Sequence, residues 1–290
     1  MNTRYAEKKC PQCGVMARIR NDRTFCSPTC ARRFTAEAKR EKLAIIGGDV
    51  HFPNHDPRAV DLFLRFIQRL KPDEVIVNGD GLDCYTISRW LQPGSIGPGM
   101  RAEVDLGQEF AQNIRQAAPK ARCRWLEGNH EFRLRQFLNN EAAAVKDLDH
   151  GLTIPDQLEF DELGFEYVET PGSKWFSTYV ELFPDLLVGH FNKTSINSAY
   201  AVKGLVERYG TSIITGHGHC MGVHHRKMPG REVTGLEGGC LCDLNPPYCE
   251  PHHWRQGFIL AHHRPGEPTV FERVEIFNGA AYYGGKRFTA

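Results

Sequence analysis

The stretch Ile45-Ile46-Gly47-Gly48-Asp49-Val50-His51-Phe52-Pro53 joins an apolar run to an acid and an imidazole two residues apart. Ile45 and Ile46 read as the end of a buried strand. Residues i and i+2 of a strand project from one face, so Asp49 and His51 are expected to point together beyond the strand's end. Two such groups side by side suit a ligand pair, and taken alone they equally suit a cap or a satisfied buried pair.

The same kind of ending recurs along the chain. "EVIVNGD" (74–80), "RCRWLEGNHE" (122–131), "DLLVGH" (185–190) and "TSIITGHGH" (211–219) are apolar strands that each run into metal-capable side chains among glycines. Helical patterns separate them. Asp56-Pro57 signals a helix start before Val60, Phe63, Leu64 and Ile67, and Val202, Leu205, Val206 and Tyr209 share a face closed by Gly210. In layered α/β proteins ligands bind outside the carboxyl ends of the strands, so the five endings should converge on one crevice. From Val223 onward short β-type stretches such as "GFILAHH" and "TVFERVEIF" alternate with turns, and these are expected to complete a second sheet as antiparallel strands. Residues 91–100 form a Pro/Gly-rich loop expected near the crevice.

The chain has 290 residues and 41% apolar content, ample for a packed core. No window approaches eighteen consecutive apolar residues and the N-terminus is polar, so the expectation is a soluble cytoplasmic protein with no membrane partner. A formal net charge of +1 conceals an asymmetry. Residues 1–42 hold eleven Lys/Arg against four Asp/Glu, a net of +7, and the remainder is −6. A basic arm on a mildly acidic body suits an anionic partner, although charge alone also fits a solvated tail.

Four of the ten cysteines, Cys10, Cys13, Cys26 and Cys30, fall in that arm, as "CPQCG" and "FCSPTC". The first pair sits in a Pro/Gly turn, and the second begins a helix with Ser27 as N-cap and Pro28 at its first position. A turn plus a helix start brings four thiolates toward a tetrahedron, and a structural zinc would supply the stability that so short a segment lacks. A redox role needs only one C-x-x-C and leaves the second pair unexplained. Residues 1–42 are therefore predicted to be a zinc-finger module and 43–290 a separate domain. Cys84, Cys123, Cys220, Cys240, Cys242 and Cys249 read as reduced thiols.

Laid end to end, the endings are Asp49-x-His51, Gly79-Asp80-x-x-Asp83, Gly128-Asn129-His130-Glu131, Gly189-His190 and Gly216-His217-x-His219. This order resembles the calcineurin-like metallophosphoesterase superfamily across residues 49–219. The stretches "SAYAVKGLVERYG", "GLEGGCL" and "WRQGF" look similar to its phage- and prophage-encoded branch, related to double-strand-break repair nucleases. The resemblance implies an α/β fold: a two-sheet sandwich flanked by helices, with the small zinc module appended. It implies that Asp49, His51 and His219 hold one divalent ion, that Asn129, His190 and His217 hold another, and that Asp80 bridges them. Mn²⁺ is the first expectation, with Fe or Zn²⁺ as alternatives, and the two ions would share an activated water that attacks phosphorus. By the same resemblance His130 faces the leaving group as general acid, and Asp83 orients its ring.

The remaining polar residues have blander readings. The paired histidines 224/225, 252/253 and 262/263 lie in strands, where at most one of each pair can face a site. His225, Arg226, Lys193 and Arg89 are considered as substrate contacts, and Trp90, Trp125, Trp175 and Trp254 as core or rim packing. Three functions follow. The first is a nuclease or other phosphodiesterase acting on nucleic acid, DNA in preference, with Arg32, Arg33, Lys39 and Arg40 as backbone contacts. The second is a phosphomonoesterase or small-nucleotide phosphodiesterase whose zinc module binds a protein partner. The third makes the zinc module the working part of an inert scaffold, which the intact signature disfavours.

Overall fold

The computed structural model describes residues 5–88, 99–144, 150–170, 172, 175–246 and 253–290. Arg89, Trp90, most of the Pro/Gly-rich loop, Cys249 and His252 lie outside the described residues. The chain divides into two compact units, Met1–Lys42 with His262–Val270, and Leu43–Ala261 with Phe271–Ala290.

In the smaller unit β1 (Tyr5–Lys9) and β2 (Met16–Arg20) pair antiparallel, Tyr5 opposite Arg20 and Lys9 opposite Met16. The turn between them carries Cys10 and Cys13 and closes at Gly14, whose φ of 71° favours a residue without a Cβ. Helix α1 (Pro28–Lys39) begins where the sequence predicts: Ser27 Oγ accepts the Cys30 N–H at 3.1 Å, and Pro28 occupies the first turn.

The following elements are β3 (Lys42–Gly47), α2 (Pro57–Leu70), β4 (Glu74–Val77), α3 (Met100–Ala117), β5 (Arg122–Leu126), α4 (Glu131–Asn140), α5 (Ile154–Gln157), α6 (Phe160–Leu163), β6 (Phe165–Val168), β7 (Tyr179–Phe183), β8 (Leu186–Gly189), α7 (Tyr200–Tyr209), β9 (Ser212–Thr215), β10 (Met221–Met228), β11 (Arg231–Gly238), β12 (Gln256–His263), β13 (Val270–Phe277), β14 (Ala280–Tyr283) and β15 (Lys286–Thr289). They form an eight-stranded sheet in the order β15-β14-β13-β12-β3-β4-β5-β6 and a five-stranded sheet in the order β10-β11-β9-β8-β7. Strands β3, β4 and β5 are parallel because α2 and α3 carry the chain back between them, and α7 does the same between β8 and β9. Register then aligns the endings. Gly47 pairs with Val77 and Val77 with Trp125 in one sheet, and Gly189 pairs with Thr215 in the other.

The two-residue period of a strand sets the layers. Ala44, Ile46, Ile76 and Leu126 face the second sheet, where they pack with Val188, Ile214 and Leu236. Ile45, Val75, Val77 and Trp125 face the other way, onto α2 and α3. Helix α7 covers the outer face of the second sheet through Val202, Leu205 and Val206 against Ile213 and Val233. The result is a sandwich of two sheets with helices on its outer faces.

Three expectations change. The stretches "GFILAHH" and "TVFERVEIF" become β12 and β13 and extend the first sheet beside β3, whereas β10 and β11 join the second. The buried stripe of α2 is Ala59, Leu62, Phe63, Phe66 and Ile67, rotated from the expected one, with Val60 and Leu64 half-buried. The cause is β12 beneath the helix, whose Phe258 takes the edges of Phe63 and Phe66 at centroid distances of 5.3 and 5.1 Å. Met100 opens α3 rather than closing a loop.

Candidate active site

The five endings meet, but the strand pleat is not what aims them. β3 stops at Gly47, and Asp49 and His51 lie beyond it with φ of 50° and 54°. Asp80, His217 and His219 are also left-handed, at 50°, 69° and 53°. Few non-glycine residues tolerate this region, and Asp and His are among those that do. Each such residue turns the chain sharply at a strand end, and this swings the side chain into the shared space. Strain of this kind collects at functional sites because the surrounding structure holds it in place. The loops are cross-tied: Asp49 N–H donates to Gly79 O, and both Val50 and His51 N–H donate to Asp80 O, all at 2.8–2.9 Å.

Two clusters of ligand atoms share this space. Asp49, His51 and His219 bring one carboxylate oxygen and two ring nitrogens within 4.8 Å of one another, and Asp80, His190 and His217 do the same. Asp80 stands between them, with Oδ2 3.1 Å from His190 Nε2 and 3.8 Å from His51 Nε2. Asn129 Oδ1 lies 3.2 Å from His190 Nε2. His190 Nδ1 faces Asn78 O at 2.8 Å, so that nitrogen donates there and Nε2 is the atom turned to the centre. Glycines keep the carboxylates this close. A Cβ on Gly128 would strike Asp80 Oδ1, and one on Gly79, itself left-handed, would strike the His190 ring.

The electrostatics call for cations. Burial opposes the charge on Asp80, but the imidazoles of His130 and His190 outweigh it and hold the carboxyl well below the usual range. Burial also opposes a charged His190, yet Asp80 and Asp49 raise it to about 10. Burial, followed by that positive neighbour, drives His217 down to about 4. His51 Nε2 and His219 Nε2 are aimed at each other 3.1 Å apart, and His51 Nδ1 faces Asp83 Oδ1 at 3.6 Å. Carboxylate, amide and imidazole donors converging in this way fit divalent cations of the Mn²⁺, Fe or Zn²⁺ type.

Beside the clusters, His130 Nδ1 meets Asp83 Oδ1 at 2.6 Å and Asp83 O at 2.8 Å. Two residues without an assigned role in the sequence reading stand out. The buried Glu131 carboxylate accepts the N–H groups of Asp80, Gly81, Leu82 and Gly128 and the indole N–H of Trp125, so it pins the loops that carry Asp80 and Asn129. An acid lodged in a glycine-rich strand ending was the available signal. Arg133, one helical turn on, donates to Asp83 O at 2.8 Å and contacts His130 Nε2 at 3.1 Å. The long-shot contacts fall elsewhere. Lys193 lies against Gly204 of α7, and His225 is exposed on β10, bonded to Thr234. Trp125 is core, whereas Trp175 sits 5.1 Å from the His217 ring and Trp254 sits 4.1 Å from His219.

In the smaller unit the four sulfurs of Cys10, Cys13, Cys26 and Cys30 also lie within 4.8 Å of one another, a set that can hold zinc. The Cys26 N–H draws the Cys10 thiol down to about 6, while the sulfurs of Cys30, Cys13 and Cys10 push Cys26 up to about 12, so the cluster favours a shared negative charge that a cation would take up. Arg32, Arg33, Lys39 and Arg40 are exposed on α1 and its cap.

The model of the family described as calcineurin-like phosphoesterase matches residues 44–221, which hold every residue of both clusters. The chain belongs to that family. It is accordingly a metal-dependent phosphoester hydrolase, and the family implies a dinuclear metal site. Among its relatives, the gene 54 protein of Mycobacterium phage D29 is 28% identical over 251 residues, covering 76% of this chain and 88% of the relative. The gene 54 protein of Mycobacterium phage L5 is 27% identical over 247 residues, with the same coverage. Among solved structures, vacuolar protein sorting 29 from Cryptosporidium parvum aligns with a TM-score of 0.44 at 13% identity, covering 86% of this chain and 99% of the other. Among the described residues, no helix of the hydrolase is long and apolar enough to cross a membrane.

Proposed function

We propose that the protein is a phosphodiesterase that cleaves nucleic acid, DNA in preference, with Mn²⁺ in the dinuclear site and a zinc-loaded four-cysteine module as the grip. One observation carries the choice of polymer: residues 1–42 hold a net +7 while the rest of the chain holds −6. Neutralisation of phosphates by Lys and Arg supplies most sequence-independent affinity for nucleic acid, and a small phosphoester has no use for it.

In this reading Asp49, His51 and His219 would hold one cation, Asn129, His190 and His217 the other, and Asp80 would serve both. When bound, the cations neutralise charge on the phosphoryl oxygens and lower the pKa of a water. The chain's own groups do the rest. Glu131 and the left-handed strand ends fix the ligands before substrate arrives, so little reorganisation is left for the reaction itself. His130 delivers a proton to the leaving oxygen while Asp83 holds its ring.

The test is a full-length variant with Arg32, Arg33, Lys39 and Arg40 all changed to Glu. Oligonucleotide binding is expected to weaken, and its log–log salt slope to fall by about 0.7–0.9 for each phosphate that is no longer neutralised. Hydrolysis of bis(4-nitrophenyl) phosphate should stay as in the parent. Unchanged oligonucleotide binding and cleavage would refute the reading.

A further inference from the structure

Helix α4 leaves the site directly from Asn129 and His130, and Arg133, Gln136, Phe137 and Asn140 follow at i, i+3, i+4 and i+7 along its site-facing side. With Phe132 and Trp175 they line a cavity of about 580 Å³ whose inner wall is Asn129 and His217. That volume lies within the roughly 300–1,000 Å³ typical of small-ligand sites. The cavity therefore opens onto the side of the dinuclear site that Asn129, His190 and His217 form. Its walls combine aromatic, amide and charged groups, the charges being Arg133 and, just past the end of α4, the Glu141 carboxylate. Trp175 stands at the inner end, its ring 5.1 Å from His217 and 5.8 Å from His190, and Phe137 is 40% exposed farther out. Gln136 and Asn140 supply amide donors and acceptors. Among the described residues, Arg133 is the one Lys or Arg in the lining.

A flat aromatic surface, amide edges and a single cation beside a phosphoester-cleaving centre match one ligand class, a nucleotide taken out of its stack. Every base has a π-face to lay on an aromatic ring, and amides pair with base edges. A lipid chain would make no use of the amides or of the Arg133 guanidinium. We propose that this cavity is a nucleobase subsite: a base flanking the scissile phosphate stacks on Trp175, Gln136 and Asn140 meet its edge, and Arg133 lies on the phosphate side. This rests on the nucleic-acid reading above and narrows it, because a paired base cannot enter without unstacking. The polymer substrate is thus single-stranded, or frayed, at the cleaved position.

The test uses Mn²⁺-loaded full-length protein and short oligonucleotides with one cleavable linkage. The nucleotide on each side of that linkage is replaced in turn by an abasic residue, by 2-aminopurine, or by neither, in single-stranded and blunt duplex form. The parent is expected to lose about tenfold in kcat/KM when one flanking base is removed, to prefer the single strand by tenfold or more, and to quench 2-aminopurine at that position on binding. Trp175→Ala should cleave the normal and abasic strands equally and leave 2-aminopurine unquenched, and Trp175→Phe should restore both differences. Equal cleavage of normal and abasic strands by the parent, or unquenched 2-aminopurine, overturns the subsite alone. Hydrolysis of bis(4-nitrophenyl) phosphate with no binding or cleavage of any oligonucleotide overturns the nucleic-acid reading, and the subsite with it.

Discussion

His130 and Asp83 form a doubly bonded pair: the ring Nδ1 faces both Oδ1 of Asp83, at 2.6 Å, and its backbone oxygen, at 2.8 Å. One nitrogen is thereby committed to holding the ring, and Nε2 is left 3.1 Å from the Arg133 guanidinium and 3.8 Å from Asp80 Oδ2. Burial works against a charge on His130, but Asp80 and Asp83 together raise its pKa above the usual histidine value.

Replacing His130 by Ala should therefore separate chemistry from metal binding. Turnover of an alkyl phosphodiester, whose leaving oxygen needs a proton, is expected to fall by on the order of 10²–10⁴. Turnover of a nitrophenyl ester, whose leaving group departs as a stable anion, should fall far less. Metal content, measured by mass spectrometry of the loaded protein, should not change. Equal losses on both ester types would remove His130 from proton transfer.

Glu131 offers a sharper structural prediction. Its carboxylate satisfies four backbone N–H groups and an indole N–H in a site with no solvent. Glu131→Ala leaves those donors buried and unpaired, at about 1–3 kcal/mol for each one that finds no new partner. The variant is expected to lose at least ~3 kcal/mol of stability by urea titration and to bind Mn²⁺ more weakly by calorimetry, because the loops carrying Asp80 and Asn129 lose their common anchor. A stability within about 1 kcal/mol of the parent would show that water replaces the carboxylate.

How far this architecture was legible in the sequence depended on the range of each signal. The strand endings, the start of α2, the stop of α7 and the Ser27–Pro28 cap are local, and their residues declare them. Convergence of Asp49 and His51 was expected from the strand pleat, yet it comes from left-handed backbone beyond the strand. No residue spacing encodes that. The place of β12 beside β3, and with it the buried stripe of α2, is a pairing between segments far apart in the chain, set by the fit of Phe258 beneath Phe63 and Phe66. Helix α4 stayed unread because its four apolar residues divide between two sides, Leu134 and Leu138 toward one cavity and Phe132 and Phe137 toward another. Of its residues only Glu131 and Phe132 are buried, and its remaining residues largely line cavities.

The four-cysteine cluster predicts that the smaller unit depends on a cation. Among the described residues its buried apolar side chains are Cys10 and Ile19, too little to offset chain entropy for such a segment. The parent is expected to retain zinc through dialysis, read by atomic absorption, and Cys26→Ser is expected to lose it. It should also release amide protons of β1 and β2 to rapid hydrogen exchange, while β3 to β5 stay protected. Protection of β1 and β2 that survives the substitution would mean the hairpin and α1 hold together without metal.

The pH dependence of stability carries the mark of Glu103, buried on α3, whose Oε2 accepts the Cys84 N–H at 2.6 Å. Burial, with the nearby Asp83 charge, raises its pKa to about 7, against 4.5 for a free glutamate, because the hydrogen bonds from the Cys84 and Tyr85 N–H groups do not offset desolvation. The folded state thus keeps a proton that the unfolded state gives up. Below pH 4.5 the group is neutral in both states and costs nothing. As pH rises from 4.5 to 7 the unfolded chain ionises first, stability falls, and above 7 the deficit is constant. Glu127, also raised to about 7 by burial despite its bond to Arg135, titrates in the same window, so the comparison must be made between variants. Glu103→Gln keeps an oxygen for the Cys84 N–H and cannot ionise. It is expected to match the parent near pH 4.5 and to exceed it by on the order of 1–3 kcal/mol at about pH 8 in urea titrations. Parallel stability curves for the two proteins across that range would show that Glu103 stays ionised in the fold.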